Sequence, residues 1–261
     1  MSEIEPVIKY MRKHPDITDI LFTGGDPLFM KTKILEGYID AISQADLPNL
    51  RTIRIGSKSL SYWPYRFLTD NDADALLALF EKIVSNGIHL AIMAHFNHPR
   101  ELSTTAVELA ISRIRQTGAQ IRTQSPVLNH INNDPDLWAT MWQRQVEMGI
   151  IPYYMFVARN TGAQHYFSIP LEEAWRIFRK AYQQVSGLAR TVRGPVMSCD
   201  PGKVQVLGVS DIMNEKVYVL RALQHRNPKH VMKPFYAQYD PHAIWYNQLK
   251  PAFGKEKFFF E

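Results

Sequence analysis

Short segments rich in β-branched or aromatic residues recur roughly every thirty to forty residues, and this period constrains the fold more than any other feature. They lie at residues 17–22, 51–55, 89–94, 120–123 and 152–157, and each reads as a strand. Between them the apolar spacing changes to that of a helix. Leu76, Leu77, Phe80, Ile83 and Val84 share one face of 72–84, and Val107, Ala110, Ile111 and Ile114 share one face of 105–115. Thr69 and Asp70 offer N-caps for the first of these helices, while Gly87 and Gly118 sit where a helix end favours positive φ. A further helix starts near Pro170, carries Leu171, Ala174, Trp175 and Phe178 on one face and stops near Gly187. Strand-helix alternation of this kind predicts parallel β/α units, and so an α/β barrel, a partial barrel or a doubly wound sheet.

Past that helix the pattern shifts. Residues 192–197, 204–209 and 216–220 alternate or run apolar with no helix between them, predicting a small C-terminal β segment followed by a Pro- and aromatic-rich tail. The expected organisation is a partial (β/α) barrel of parallel strands over 1–190 and a β segment with its tail over 191–261. The chain opens inside a helix at 6–13 with no strand before it, so the first barrel strand is expected to be missing, leaving an unpaired edge that favours self-association.

Composition narrows the class. A chain of 261 residues with 46% apolar and 21% charged residues can bury a large core. No stretch approaches the ~18 residues of a membrane span, and the opening is charged from its third residue, unlike a signal peptide. A cytoplasmic protein with no membrane partner is expected. The net charge of +5 is spread without basic blocks, which argues against a dedicated nucleic-acid binder, and a small anionic ligand would suffice to explain it. Cys199 is the single cysteine, which excludes a disulfide framework or a multi-thiolate metal site built from this chain.

In parallel sheets the working residues gather where strands end. The tips here carry Thr23-Gly24-Gly25-Asp26, then Arg54 with Ser57 and Lys58, then His95 to His98, then Gln124-Ser125, then Arg159-Asn160. Gly24, Gly25 and Asp26 read either as a tight turn with an Asx cap or as backbone closing on a ligand whose amine meets Asp26. Arg54, Ser57 and Lys58 read as a solvated loop or an anion cradle. His95 and His98 lack a third metal ligand nearby, so hydrogen-bonded pocket histidines are expected and no metal. Gln124 and Arg159 are polar loop residues when taken singly. Lys203, after Pro201-Gly202 and before an apolar run, is a surface turn lysine unless it points inward, where burial would make it a Schiff-base nucleophile.

Taken in order, FTGGDPL from Phe22, IRIGSKS from Ile53, HFNHP from His95, QSPVLNHIN from Gln124, PYYMF from Pro152 and PGKVQV from Pro201 resemble the lysine 2,3-aminomutase-like radical S-adenosylmethionine (SAM) family. The resemblance runs from about Leu21 to at least Val206. It implies a partial (β/α) barrel holding SAM and pyridoxal phosphate (PLP) at its strand tips, in an isomerase that moves an amino group from C2 to C3 of a small amino acid. Gly24, Gly25 and Asp26 match the glycine-glycine-acid motif that receives the amino group of SAM. Lys203 matches the lysine that holds PLP, and Arg54, Ser57, Lys58, His95 and Gln124 lie in segments near the cofactors.

Two departures qualify what the resemblance implies. The family ligates a [4Fe-4S] cluster through C-x3-C-x2-C upstream of the glycine motif, and no such motif occurs here. The cluster-binding segment is therefore expected to be absent, and this chain alone to be inactive in SAM cleavage. Lysine-specific members place an aspartate at the counterpart of Arg159 and a second near Ser198 or Cys199, so the expected substrate is not free lysine but one with a distal anion bound by Arg159. A non-catalytic remnant that binds PLP or SAM, and a cluster-independent Schiff-base lyase or aldolase using Lys203, stay open as alternatives.

Overall fold

The computed structural model describes residues 4–159 and 161–261. Elements follow in the order α1 (Ile4–Lys13), β1 (Asp19–Phe22), α2 (Thr32–Gln44), β2 (Thr52–Ser57), α3 (Ser59–Tyr62), α4 (Ala73–Ser85), β3 (His89–His95), α5 (Thr105–Gln116) and β4 (Gln120–Val127). Then come α6 (Pro135–Glu147), β5 (Ile151–Val157), α7 (Gln164–Phe167), α8 (Leu171–Gln183), β6 (Arg193–Cys199), β7 (Gly202–Ile212), β8 (Glu215–His225) and β9 (Pro234–Gln238). Among the described residues nine strands follow one another in a single sheet in chain order, with β1 and β9 at its ends, so the fold is the expected α/β arrangement with an unclosed sheet.

The chain divides into two compact units, one of residues 4–96, 100–123 and 147–150, the other of 97–99, 124–146 and 151–261. In the first unit β1, β2 and β3 pair in parallel, with Ile55 opposite Phe22 on one side and Ile92 on the other. Burial alternates along β2, where Ile53, Ile55 and Ser57 are buried and Arg54 is half-exposed. The helices contribute Leu35, Ile39 and Ile42 of α2 and Leu76, Phe80 and Ile83 of α4 to the core, on faces set by their 3.6-residue spacing. Gly87 and Gly118 have φ of +80° and +84° after α4 and α5, as the spacing predicts.

The cap of α4 differs from expectation. Asp72 occupies the cap position, and its carboxylate is drawn away to Thr32 N at 2.7 Å and Arg66 Nη1 at 2.6 Å. The Thr69 and Asp70 amides both donate to Tyr65 O, which binds these residues into the preceding turn and removes them from the helix start.

In the second unit β6 pairs in parallel with β5, so it continues the β/α series before the antiparallel run β6–β7–β8–β9 begins. Two register skips shape this region. One lies between Tyr154 and Phe156 of β5 against Arg193 and Val196 of β6, the other between Lys203 and Val204 of β7 against Gln224 and Ala222 of β8. One side of the strands packs Met197, Val204, Val206, Tyr218 and Leu220 with Leu171 of α8 and with Trp245, Leu249 and Phe258 of the tail. A smaller cluster of Tyr154, Val196 and Leu223, with Tyr153 and Phe156 at its margin, packs separately.

Candidate functional site

Gly24 and Gly25 follow β1 with φ of +97° and +57°, and a Cβ built on either meets nothing within 4 Å. Their requirement is therefore conformational: L side chains rarely adopt these angles. The turn they make delivers Asp26. Its Oδ1 accepts from Leu28 N at 3.0 Å, capping the short 3₁₀ turn Pro27–Phe29. Its Oδ2 accepts from Ser57 Oγ at 3.0 Å, Lys58 N at 2.8 Å and Ser59 Oγ at 3.1 Å. Ser57 Oγ accepts in turn from Ser59 N at 2.9 Å. The carboxylate thus ties the end of β1 to the end of β2. A carboxylate offers about four acceptor sites, two on each oxygen. Oδ2 is fully engaged, and one lone pair of Oδ1 has room for a further donor.

Two cations near this turn, Arg54 and Lys58, are paired with carboxylates. Arg54 Nε and Nη2 reach Asp19 Oδ1 at 2.8 and 2.6 Å, and Lys58 Nζ reaches Glu101 Oε1 at 3.0 Å. Ser57 and the Lys58 backbone join Asp26, whereas Arg54 sits on the opposite face of β2 from Ser57. His95 ends β3 in a half-buried position. Asp19, Ser59 and Glu101 were invisible as partners in the sequence, because only the parallel register brings residues 33 to 43 positions apart together.

In the second unit Lys203 is the second residue of β7, half-buried, directly opposite Ser198 of β6 and Gln224 of β8. Its Nζ donates to Gln224 Oε1 at 2.7 Å and stands 5.5 Å from the Tyr154 ring centre. Arg193 Cζ lies 4.4 Å from the ring centres of both Tyr153 and Tyr154, within cation–π range. Phe156 stacks on Tyr154 with centres 4.8 Å apart and planes 20° apart. Gly202, at φ +129°, lets the chain pass so close to β8 that a Cβ there would lie 2.1 Å from Gln224 O. Arg193, Gln205, Arg221 and Gln224 were not singled out in the sequence, since a register skip carries no compositional signal. Gln124 is half-buried on β4 among buried alternate residues, and Arg159 is exposed just after β5. Asn160 lies outside the described residues.

The chemistry available is that of a lysine amine held by an amide and an aromatic ring beside a guanidinium. An iron–sulfur cluster does not fit this chain's residues. The sequence has one cysteine, Cys199, whose thiol is pushed up to about 11 by burial and then by the Asp200 carboxylate, away from the thiolate a cluster needs. Among the described residues no group of three or more His, Cys, Asp or Glu is placed to hold a metal ion. Nor, among them, is any helix long and apolar enough to cross a membrane.

No family model matches the chain. A protein of Aquifex aeolicus named "Putative L-lysine 2,3-aminomutase" is 36% identical over 256 residues, covering 98% of this chain and 66% of that protein. The glutamate 2,3-aminomutase of Clostridioides difficile is 27% identical over 71% of this chain and 41% of its own length. The L-lysine 2,3-aminomutase of Escherichia coli is 26% identical over 73% of this chain and 54% of its own. The chain thus spans between about two fifths and two thirds of the length of these relatives. A solved radical SAM methyltransferase from Sphaerobacter thermophilus overlaps 76% of this chain and 57% of its own at TM-score 0.48 and 12% identity, too loosely to bear on the argument. By its sequence similarity over nearly its whole length, the chain belongs to the lysine 2,3-aminomutase-like family.

Proposed function

We propose that this chain serves an aminomutase-type reaction in which Lys203 holds PLP and the amino group of an amino acid moves between C2 and C3. The observation that carries the reading is the setting of Lys203, an amine held by Gln224 beside the Tyr154 ring, on which the Arg193 guanidinium also packs, in a chain of this family. That donor set suits a planar, anionic aldehyde. PLP, when bound, supplies an electron system over which charge or spin delocalises as the nitrogen shifts. Gln224 aims the amine, Tyr154 walls one side, and Gly202 lets the strand come close enough for both. Asp26, through the spare lone pair on Oδ1, would take the ammonium of SAM, with Gly24 and Gly25 shaping the turn. Because the cluster does not fit, no reductive step is attributed to these residues.

The substrate reading follows from charge. Arg159, exposed after β5, suits a distal carboxylate, and Ser198 opposite Lys203 brings no negative charge that would favour a distal ammonium. One relative is named for glutamate, which is consistent with such a substrate. To test this, PLP-loaded protein is titrated with glutamate and with lysine while its visible spectrum is followed. Glutamate is expected to perturb the spectrum at lower concentration than lysine, and Arg159→Ala to remove the difference. Equal or tighter response to lysine overturns the substrate reading. The single cysteine favours a second reading, a protein that binds PLP and SAM without generating a radical. Appearance of 5′-deoxyadenosine after anaerobic supply of iron, sulfide and reductant to the isolated chain would decide against it.

A further inference from the structure

We infer that a cleft between the starts of α2 and α4 docks a short acidic segment of a partner protein, anchored there by a bulky apolar side chain. The inference does not depend on the reading of Lys203. The cleft has a volume of about 810 Å³ and lies wholly within the first compact unit. None of Gly24, Gly25, Asp26, Ser57 or Lys58 lines it, so it is distinct from the turn that delivers Asp26. The two are neighbours, because the 3₁₀ turn that Asp26 caps carries Phe29 to the cleft wall.

The apolar side of the cleft is a wall of Phe29 and Trp63, whose ring centres stand 5.9 Å apart with planes at 54°. Buried Arg66 fixes both from behind. Its Cζ lies 5.8 Å from the Trp63 ring centre, and it donates to Leu28 O at 2.8 Å and to Met30 O at 3.2 Å, one residue to either side of Phe29. Phe29 is nevertheless 71% exposed. An aromatic ring held rigid yet open to water loses little freedom when a partner covers it, which suits it as an anchor point. Ile34, Tyr62 and Tyr65, chain neighbours of lining residues but outside the cleft, are each more than half exposed. Apolar surface therefore continues past the cleft, as an extended chain segment needs and a small ring does not. Charge selects the partner. Arg66 is offset by Asp72 at 2.6 Å and Asp70 at 3.9 Å, and Glu36 by Lys82 at 3.7 Å. Lys31 and Lys33 line the same cleft, are exposed, and have no carboxylate partner among the described residues. An acidic segment meets both ammonium groups while its apolar side chain seats on Phe29 and Trp63, whereas a basic one is repelled.

The test uses two fluorescein-labelled peptides, Asp-Glu-Phe-Leu-Asp-Glu and its counterpart with every acid replaced by lysine, and reads binding to the intact chain by fluorescence anisotropy. The acidic peptide is expected to bind at least ~10-fold more tightly than the basic one, and to weaken as salt is added. Phe29→Ala, and Lys31→Gln combined with Lys33→Gln, all at exposed positions, are each expected to weaken it at least ~10-fold. Hydrogen exchange should show protection by the peptide within 29–33 and 63–72. Equal affinity for the two peptides, no binding of the acidic one up to ~1 mM, or binding that both sets of substitutions leave unchanged overturns the inference. Protection confined to other segments overturns it as well. Sedimentation of the wild-type chain covers the other occupant: a dimer that Phe29→Ala dissolves assigns the cleft to a second copy of this chain and sinks the inference, whereas a dimer indifferent to that change, or a monomer, agrees with it.

Discussion

Replacing Asp26 separates a structural role of its carboxylate from a purely ligand-binding one. Asp26→Ala removes the acceptor of two backbone amides, Leu28 N and Lys58 N, and of the hydroxyls of Ser57 and Ser59, both buried. The hydroxyls can turn to other acceptors, but the amides cannot. Hydrogen bonds to a charged group contribute about 1.5–3 kcal/mol each, and loss of an N-cap alone about 1 kcal/mol, so the change is expected to cost about 3–5 kcal/mol. At ~2–4 °C per kcal/mol in a chain of this size, the melting temperature should fall by about 6–20 °C. Asp26→Asn keeps the acceptor for Leu28 N but sets an NH2 against Lys58 N, so its loss should be smaller, about 2 kcal/mol. Urea unfolding read by circular dichroism, with the slope held constant across variants, gives these differences. A loss under ~0.5 kcal/mol for Asp26→Ala would refute the tie between the ends of β1 and β2.

Arg66 is almost fully buried and reaches Asp72, Leu28 O, Met30 O and Thr32 Oγ1, so Arg66→Met should destabilise by about 3–5 kcal/mol in the same unfolding assay. Its partner gives a pH signature. Burial alone would raise the Asp72 carboxyl, but the Thr32 hydrogen bonds and Arg66 outweigh it and hold the carboxyl below its ordinary value. A carboxyl lowered in the folded state adds stability that is present above its unfolded value of about 4 and lost as pH falls through its folded value. Stability should thus drop below about pH 4, and Asp72→Asn should flatten that part of the profile; an unchanged profile counts against the pairing. Gly202→Ala sets a Cβ against the backbone at Gln224 O, 2.1 Å away, at a φ few L residues adopt. The change should cost about 2–4 kcal/mol and reduce PLP uptake although Lys203 itself is untouched, as read by unfolding and by absorbance.

The β/α alternation was legible because β-branched clusters mark strands and the 3.6-residue spacing of α4 and α5 marks helices. Boundaries were less so. β4 runs on to Val127 although its signal fades at Thr123, because Gln124, Ser125 and Pro126 are polar or helix-breaking rather than strand-like. α2 carries Gly37 in its middle and α6 presents two tryptophans, and neither stood out as an amphipathic stretch. β9 begins with Pro234 and was read as tail. Asp26 was legible as an Asx cap, and its bond to Leu28 N is local. Its ties to Ser57, Lys58 and Ser59 were not, since they depend on pairing between strands. Lys203 stood out through its Pro-Gly turn, but its neighbours Tyr154, Arg193 and Gln224 come from register skips that side-chain pattern does not encode.

Lys203 is the residue proposed to hold PLP. The most direct measurement is to incubate the purified chain with PLP, reduce with borohydride, digest and map the modified peptide by mass spectrometry, beside a Lys203→Ala control. One stoichiometric adduct on Lys203 is expected, and the control should lack it. Labelling scattered over exposed lysines such as Lys31 and Lys33, with Lys203 spared, would contradict it.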